Sequence, residues 1–142
     1  MQDSLLDLIG GRPALEKIHQ AFYDRVFADP WLSPFFAGAK QKHLESQQTD
    51  FIIRTLGGGL VFSGQRPENC HMHMFITQEV FDHRQSLMRE AILECGVAED
   101  VAEQLLRHQD SFAHAIVKKN ISECTKRFHD EDVIQVPKPP NM

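Results

Sequence analysis

Leu15-Glu16-Lys17-Ile18-His19-Gln20-Ala21-Phe22-Tyr23-Asp24-Arg25-Val26-Phe27-Ala28-Asp29-Pro30 carries a helical period. Leu15, Ile18, Phe22 and Val26 recur at spacings of three and four with Tyr23 beside them, which is the buried stripe of an amphipathic helix and not the alternation of a strand. Pro13 sits where a first-turn proline opens a helix, and Asp29-Pro30 punctuates its end near Phe27. Strict alternation is scarce along the rest of the chain, so the spacing predicts an all-α fold.

Upstream, a short segment over 4–9 ends at Gly10-Gly11. Downstream, residues 31–36 make a compact apolar connector. A helix over 40–56 follows, its inward face carrying Leu44, Gln48, Phe51, Ile52 and Thr55 before Gly57-Gly58-Gly59 stops it. Residues 60–69 have no helical period and lead, as a loop, into Cys70-His71-Met72-His73-Met74. A loop with such chemistry at its end is a place to look for function. Thr77 caps a helix reaching Cys95, with Phe81, Leu87, Met88, Ala91, Ile92 and Cys95 on one face, Arg84 unexpectedly among them, and Gly96 as its stop. A last long helix is expected over 99–124, burying Val101, Leu105, Phe112, Ile116 and Ile121. Residues 128–142 turn charged and then proline-rich, which predicts a flexible tail after a domain spanning 1–127.

The 142 residues are 42% apolar and 25% charged, with a formal net charge of -5. A chain of this length buries roughly 70% of its unfolded surface and needs no disulfides to hold a core. The mild acidity and the lack of a dense Lys/Arg cluster argue against nucleic-acid partners. No apolar run approaches the roughly 20 residues that span a bilayer, and the first residues lack the pattern of a signal peptide. The expectation is a cytoplasmic protein with no membrane contact, existing as a monomer or weak dimer. Cys70, Cys95 and Cys124 are an odd set without C-x-x-C spacing, which fits reduced thiols.

Paired long helices with an irregular, histidine-bearing loop between them leave room for a flat cofactor. A haem needs one axial imidazole, an apolar slot and distal groups that act on a bound diatomic ligand. His71 is the candidate donor, Phe36, Phe51 and Phe62 candidate walls, and Tyr23 with Gln48 candidate distal donors. The same residues have plainer readings: His71 as a cap for the following turn, Tyr23 as a core-edge aromatic, and the phenylalanines as core packing. Gln48 is the sharpest of them, since an amide on an apolar face is costly unless it has a partner. Taken alone, Cys70-His71-Met72-His73-Met74 is also a soft-ligand loop for copper or zinc.

Leu8-Ile9-Gly10-Gly11, Phe22-Tyr23-Asp24-Arg25-Val26, Ala28-Asp29-Pro30, Leu32-Ser33-Pro34-Phe35-Phe36-Ala37-Gly38, Leu56-Gly57-Gly58 and the interval from His71 to Phe81 together resemble the truncated haemoglobins, most of all their group-I branch. The resemblance covers residues 5–121. It implies a two-over-two helical sandwich around haem b, with His71 as the proximal ligand of the iron and His73 as second choice. It further implies that Tyr23 and Gln48 donate to the bound ligand, and that Leu44 seals the pocket without donating. Phe36 packs on the porphyrin, with Phe35 one register step away, and Phe51, Phe62 and Phe81 complete the cofactor-binding set. The implied ligands are oxygen, nitric oxide and carbon monoxide. The tyrosine and glutamine pair points to nitric oxide dioxygenation, with nitrate as product. An external reductase is then required, because the sequence contains no flavin or nicotinamide module. The alternative is a non-catalytic oxygen or nitric oxide scavenger or sensor whose proline-rich end recruits a partner.

Two features depart from the family pattern. Arg84 stands where the group-I branch resembles a small apolar residue and other branches a tryptophan. It must pair with something, a haem propionate or Asp82 for example, or reach water. Gln47 stands where some relatives place a distal ligand, which leaves His43 as the nearest internal alternative.

Overall fold

The first helix is set by Ser4, whose Oγ accepts from the Asp7 N–H at 3.2 Å. In this computed structural model, which describes residues 4–57, 71–126 and 128–140, the helices among the described residues are α1 (Leu5–Ile9), α2 (Gly11–Ala28), α3 (Gln41–Thr55), α4 (Gln78–Glu94), α5 (Glu99–Asp110) and α6 (Ala113–Ile116). Short 3-10 turns lie at Ser33–Phe36 and Ile121–Glu123. Gly10 joins α1 to α2 at φ 115°, and a Cβ there would stand 2.9 Å from Ala14 Cβ, so only glycine makes this corner without strain. The expected Gly58-Gly59 stop, Phe62 and Cys70 lie outside the described residues.

The predicted stripe of α2 is buried in full: Leu15, Ile18, Phe22 and Val26 are at most 2% exposed. Such side chains contribute about 1.5–3 kcal/mol each, against about 0–1 kcal/mol for exposed ion pairs such as those of Arg12 with Glu16 and Asp50. Apolar packing therefore decides where α2 lies. It sits centrally, packing on α3 along one side and α4 along another, while α4 also packs on α5 and α1 bridges α2 and α5. The pairs α2/α3 and α4/α5 make a two-over-two helical sandwich. Asp29 ends α2 and locks the reversal: its Oδ1 accepts from Trp31 N–H and Leu32 N–H, both at 2.9 Å, and its Oδ2 faces His83 Nε2 on α4 at 2.7 Å. No helix among the described residues is long and apolar enough to cross a membrane.

Three expectations need correction. The last helix does not run to Cys124: α5 stops at Asp110, α6 adds one turn, and Val117 is extended. The chain is drawn off its axis by bonds to the segment around His71. Lys118 N–H donates to Ile76 O at 2.8 Å, the Lys118 ammonium donates to His71 O and Met74 O, and Thr125 N–H donates to Met72 O at 2.8 Å. Ile121, expected inside, is exposed for the same reason. Cys95, expected on the buried face, is also exposed, because it falls at the C-cap of α4 after the stripe has turned away.

The segment expected to fray is docked. Ile134 N–H donates to His73 O and its carbonyl accepts from Phe75 N–H, both at 2.8 Å, as Met74 and Ile134 form an isolated parallel bridge. Trp31 Nε1–H reaches Val136 O at 3.3 Å, and the Lys138 ammonium lies 5.6 Å from the Trp31 ring centre and 3.1 Å from Glu79. Proline-rich composition does not prevent docking where an apolar residue finds a groove, and Ile134 and Val136 do so here.

Candidate functional site

A cavity of about 740 Å³ opens between the two helix pairs, within the roughly 300–1,000 Å³ of small-molecule and cofactor sites. Each helix contributes to it through the period already described. Tyr23, one step round from Phe22 on α2, points into the cavity and is only 6% exposed. Its ring makes an edge contact with Phe36, centroids 6.1 Å apart and planes at 83°, and a second with Phe22 at 4.9 Å. Phe36 comes from the 3-10 turn that Asp29 initiates, and Phe35 lines the same cavity from a more buried position.

From α3, Leu44, Gln48 and Phe51 follow one another at spacings of four and three and all face the cavity. Phe51 stacks edge-on against Phe112 at 5.1 Å. From the opposite side come His71, His73 and Met74, then Val80 and Phe81 on the first turn of α4, held by Thr77, whose Oγ1 accepts from Val80 N–H at 3.2 Å. The His71 carbonyl is tethered by Lys118, which fixes the backbone from which the imidazole projects. His43 and Gln47 also border the space.

Of the residues singled out from the sequence, Tyr23, Phe36, Leu44, Gln48, Phe51, His71 and Phe81 thus converge on one cavity. Phe62 lies outside the described residues. His73 lines the cavity too and is buried, so the structure brings both candidate histidines to the same wall. Among the described residues no cluster of three His, Cys, Asp or Glu side chains is arranged to hold a metal ion.

Arg84 also faces the cavity, so its place on the inward side of α4 is real. Asp82, a partner considered for it, is instead engaged by Gln78 Nε2 at 2.8 Å. The guanidinium sits 4.8 Å over the Phe22 ring and donates from Nη1 to Gln85 Oε1 and, at 3.4 Å, to Gln109 Oε1. Burial pushes its pKa down, while Tyr23 and Asp110 push it the other way.

Four features were not legible in the spacing. Gln109, 4% exposed on α5, lines the cavity, and its buried Nε2 has no hydrogen-bond partner. Glu131 and Ile134 close the cavity from the docked C-terminal segment. His19, on the inner stripe of α2, is fully buried, its Nδ1 2.6 Å from Thr49 Oγ1. Because Thr49 Oγ1 gives its own proton to Glu45 O at 2.9 Å, His19 Nδ1 is the donor. Desolvation, helped by the charge of Arg84, pushes the His19 pKa down to about 3, so this imidazole is neutral. The one signal for His19 was its position four residues before Tyr23.

Comparison with known proteins bears on what such a cavity holds. The bacterial-like globin family matches residues 4–118. A group 1 truncated haemoglobin of Mycolicibacterium paratuberculosis is 33% identical over 103 residues, 72% of this chain and 76% of that protein. The crystal structure of the truncated haemoglobin from Tetrahymena pyriformis in its Fe(III) form superposes with a TM-score of 0.75 at 24% identity, covering 82% of this chain and 100% of that one. The haemoglobin of the thermophilic phototroph Chloroflexus aurantiacus gives a TM-score of 0.72 at 25% identity, over 83% and 100% of the two chains.

Proposed function

Because the chain belongs to the bacterial-like globin family, in its group 1 truncated branch, we propose that it holds haem b in this cavity and binds oxygen and other diatomic ligands there. The observation that carries the reading is the convergence of an imidazole, His71, and two distal polar side chains, Tyr23 and Gln48, on one largely apolar space. The residues present fit a haem. The walls are aromatic and aliphatic, a neutral imidazole is a strong axial donor, and the cavity volume suits a flat macrocycle. Haem, when bound, would supply an iron that takes oxygen, nitric oxide or carbon monoxide as ligand.

The chain's own groups do the rest. His71 would hold the cofactor, and the bond from Lys118 to its carbonyl fixes the backbone from which the imidazole projects. Phe36, Leu44, Phe51 and Phe81 wall the slot and exclude water, which strengthens every polar interaction inside. The Tyr23 hydroxyl and the Gln48 amide donate hydrogen bonds where negative charge gathers on a diatomic ligand. Nitric oxide dioxygenation is the activity this set favours. One nitric oxide, one oxygen and one electron give one nitrate, and the electron comes from a separate reductase.

A purely stoichiometric scavenger or sensor is the second reading. Its recruiting tail has lost support, since Ile134 and Val136 pack on the protein's own core and Lys138 pairs with Glu79 at the surface. Steady-state consumption of nitric oxide with a reductase present separates the two.

The decisive experiment is the absorption spectrum of the purified protein supplied with haem, ferric, ferrous and with carbon monoxide, beside His71→Ala. The expected result is a Soret band that shifts on reduction and with carbon monoxide and is lost or altered in His71→Ala. A folded protein that takes up no haem would overturn the reading.

A further inference from the structure

A cation facing a cavity with only neutral partners is an unusual object. Arg84 carries five N–H groups, and its contacts are two amide oxygens, from Gln85 and Gln109, and the face of Phe22. Among the described residues no carboxylate lies within ion-pairing distance of it. Asp110, the nearest acid to act on it, gives its Oδ1 to Gln85 Nε2 at 2.9 Å. Beside it, Gln109 Nε2 is buried and lacks a partner. A cation and an unsatisfied amide thus sit side by side on the cavity wall, on neighbouring helices α4 and α5 joined by the Arg84 to Gln109 contact.

Each is costly alone. The half-buried guanidinium gives up part of its hydration with no counter-ion in return, and the buried amide N–H gives up a hydrogen bond. An anion accepting from both would remove both costs at once. Phe22 and Tyr23 share this part of the wall, and with the cofactor proposed above in the cavity the space left beside the guanidinium suits an ion of a few atoms.

We propose that the Arg84 guanidinium and the Gln109 amide form a small-anion subsite on the cavity wall, suited to a monovalent inorganic anion such as azide or nitrite. The subsite rests on the haem reading for the identity of the cavity's main occupant. It adds that this pocket favours anionic over neutral ligands. Tyr23 and Gln48 also donate to an anion, but they carry no charge, so the long-range part of the preference comes from Arg84.

The test titrates the ferric holoprotein with sodium azide and the ferrous form with carbon monoxide, both followed at the Soret band, in the wild type, Arg84→Gln, Arg84→Lys and Gln109→Leu. The ratio of azide to carbon monoxide affinity falls about ten- to a hundredfold in Arg84→Gln, the scale of one hydrogen bond to a charged group. It falls less in Arg84→Lys, which keeps the charge, and also falls in Gln109→Leu. An unchanged ratio in Arg84→Gln overturns the subsite, including the case in which a haem propionate already occupies the guanidinium. A folded protein that takes up no haem overturns the haem reading instead. The melting temperature in azide then decides the subsite alone, supporting it if azide stabilises the wild type and not Arg84→Gln, and overturning it if the two respond alike.

Discussion

Tyr23 and Gln48 approach the cavity from different helices, one almost fully buried on α2 and the other half-buried on α3. The role proposed for each is one hydrogen bond to bound oxygen, worth about 0.5–1.5 kcal/mol net, which predicts that Tyr23→Phe and Gln48→Leu each raise the oxygen off-rate by roughly two- to tenfold. Stopped-flow displacement of oxygen by carbon monoxide measures both. Off-rates unchanged in both variants would remove these side chains from the distal site. At this scale the sequence was a good guide wherever a polar residue interrupted an apolar stripe, as Gln48 and Arg84 do. It was a poor guide to partners. Nothing local says that Arg84 finds Gln109, 25 residues on, or that His19 finds Thr49, 30 residues on. Both pairs exist only once the helices are packed.

Helices whose ends are marked by their own residues were readable to within a residue or two: Thr77 as an N-cap, Asp29-Pro30 and Gly96 as stops. The end of α5 carries no such mark. Residues 111–124 continue a tolerable apolar period, and the chain leaves the helix because Lys118 and Thr125 are worth more bonded to the segment carrying His71 than to their own turn. Tertiary contacts override propensity there. The docked C-terminal segment is the same effect in reverse, with proline-rich composition outweighed by Ile134 and Val136. Replacing Ile134 with proline removes the N–H that bonds His73 O without emptying the groove of apolar surface. The expected cost is about 1–3 kcal/mol in urea unfolding, with faster haem loss to a scavenging apoglobin because the segment borders the cavity wall at His73. Stability and haem retention equal to wild type would mean that the segment is held by its neighbours alone.

The molecule as a whole turns on the α2/α3 contact, and that contact contains one titratable group with no access to water. His19 is neutral in the folded state, its pKa pushed down to about 3 mainly by burial, while in the unfolded chain it titrates near 6.5. Between those values the unfolded state holds a proton that the folded state does not. The stability His19 contributes is therefore complete above about pH 6.5 and is lost as the pH falls towards 3, at up to about 1.4 kcal/mol per pH unit. His19→Leu isolates the effect, because Thr49 keeps its own donation to Glu45 O and is left without an acceptor's duty only. Urea unfolding of both holoproteins at pH 7.5, 6.5, 5.5 and 4.5 makes the measurement. Carboxylates titrating in both proteins cancel in the difference. The wild type is expected to lose stability more steeply than the variant below pH 6.5, with the two curves parallel above it. Curves parallel over the whole range would show that acid sensitivity resides elsewhere, and that protonating this imidazole is not what parts α2 from α3.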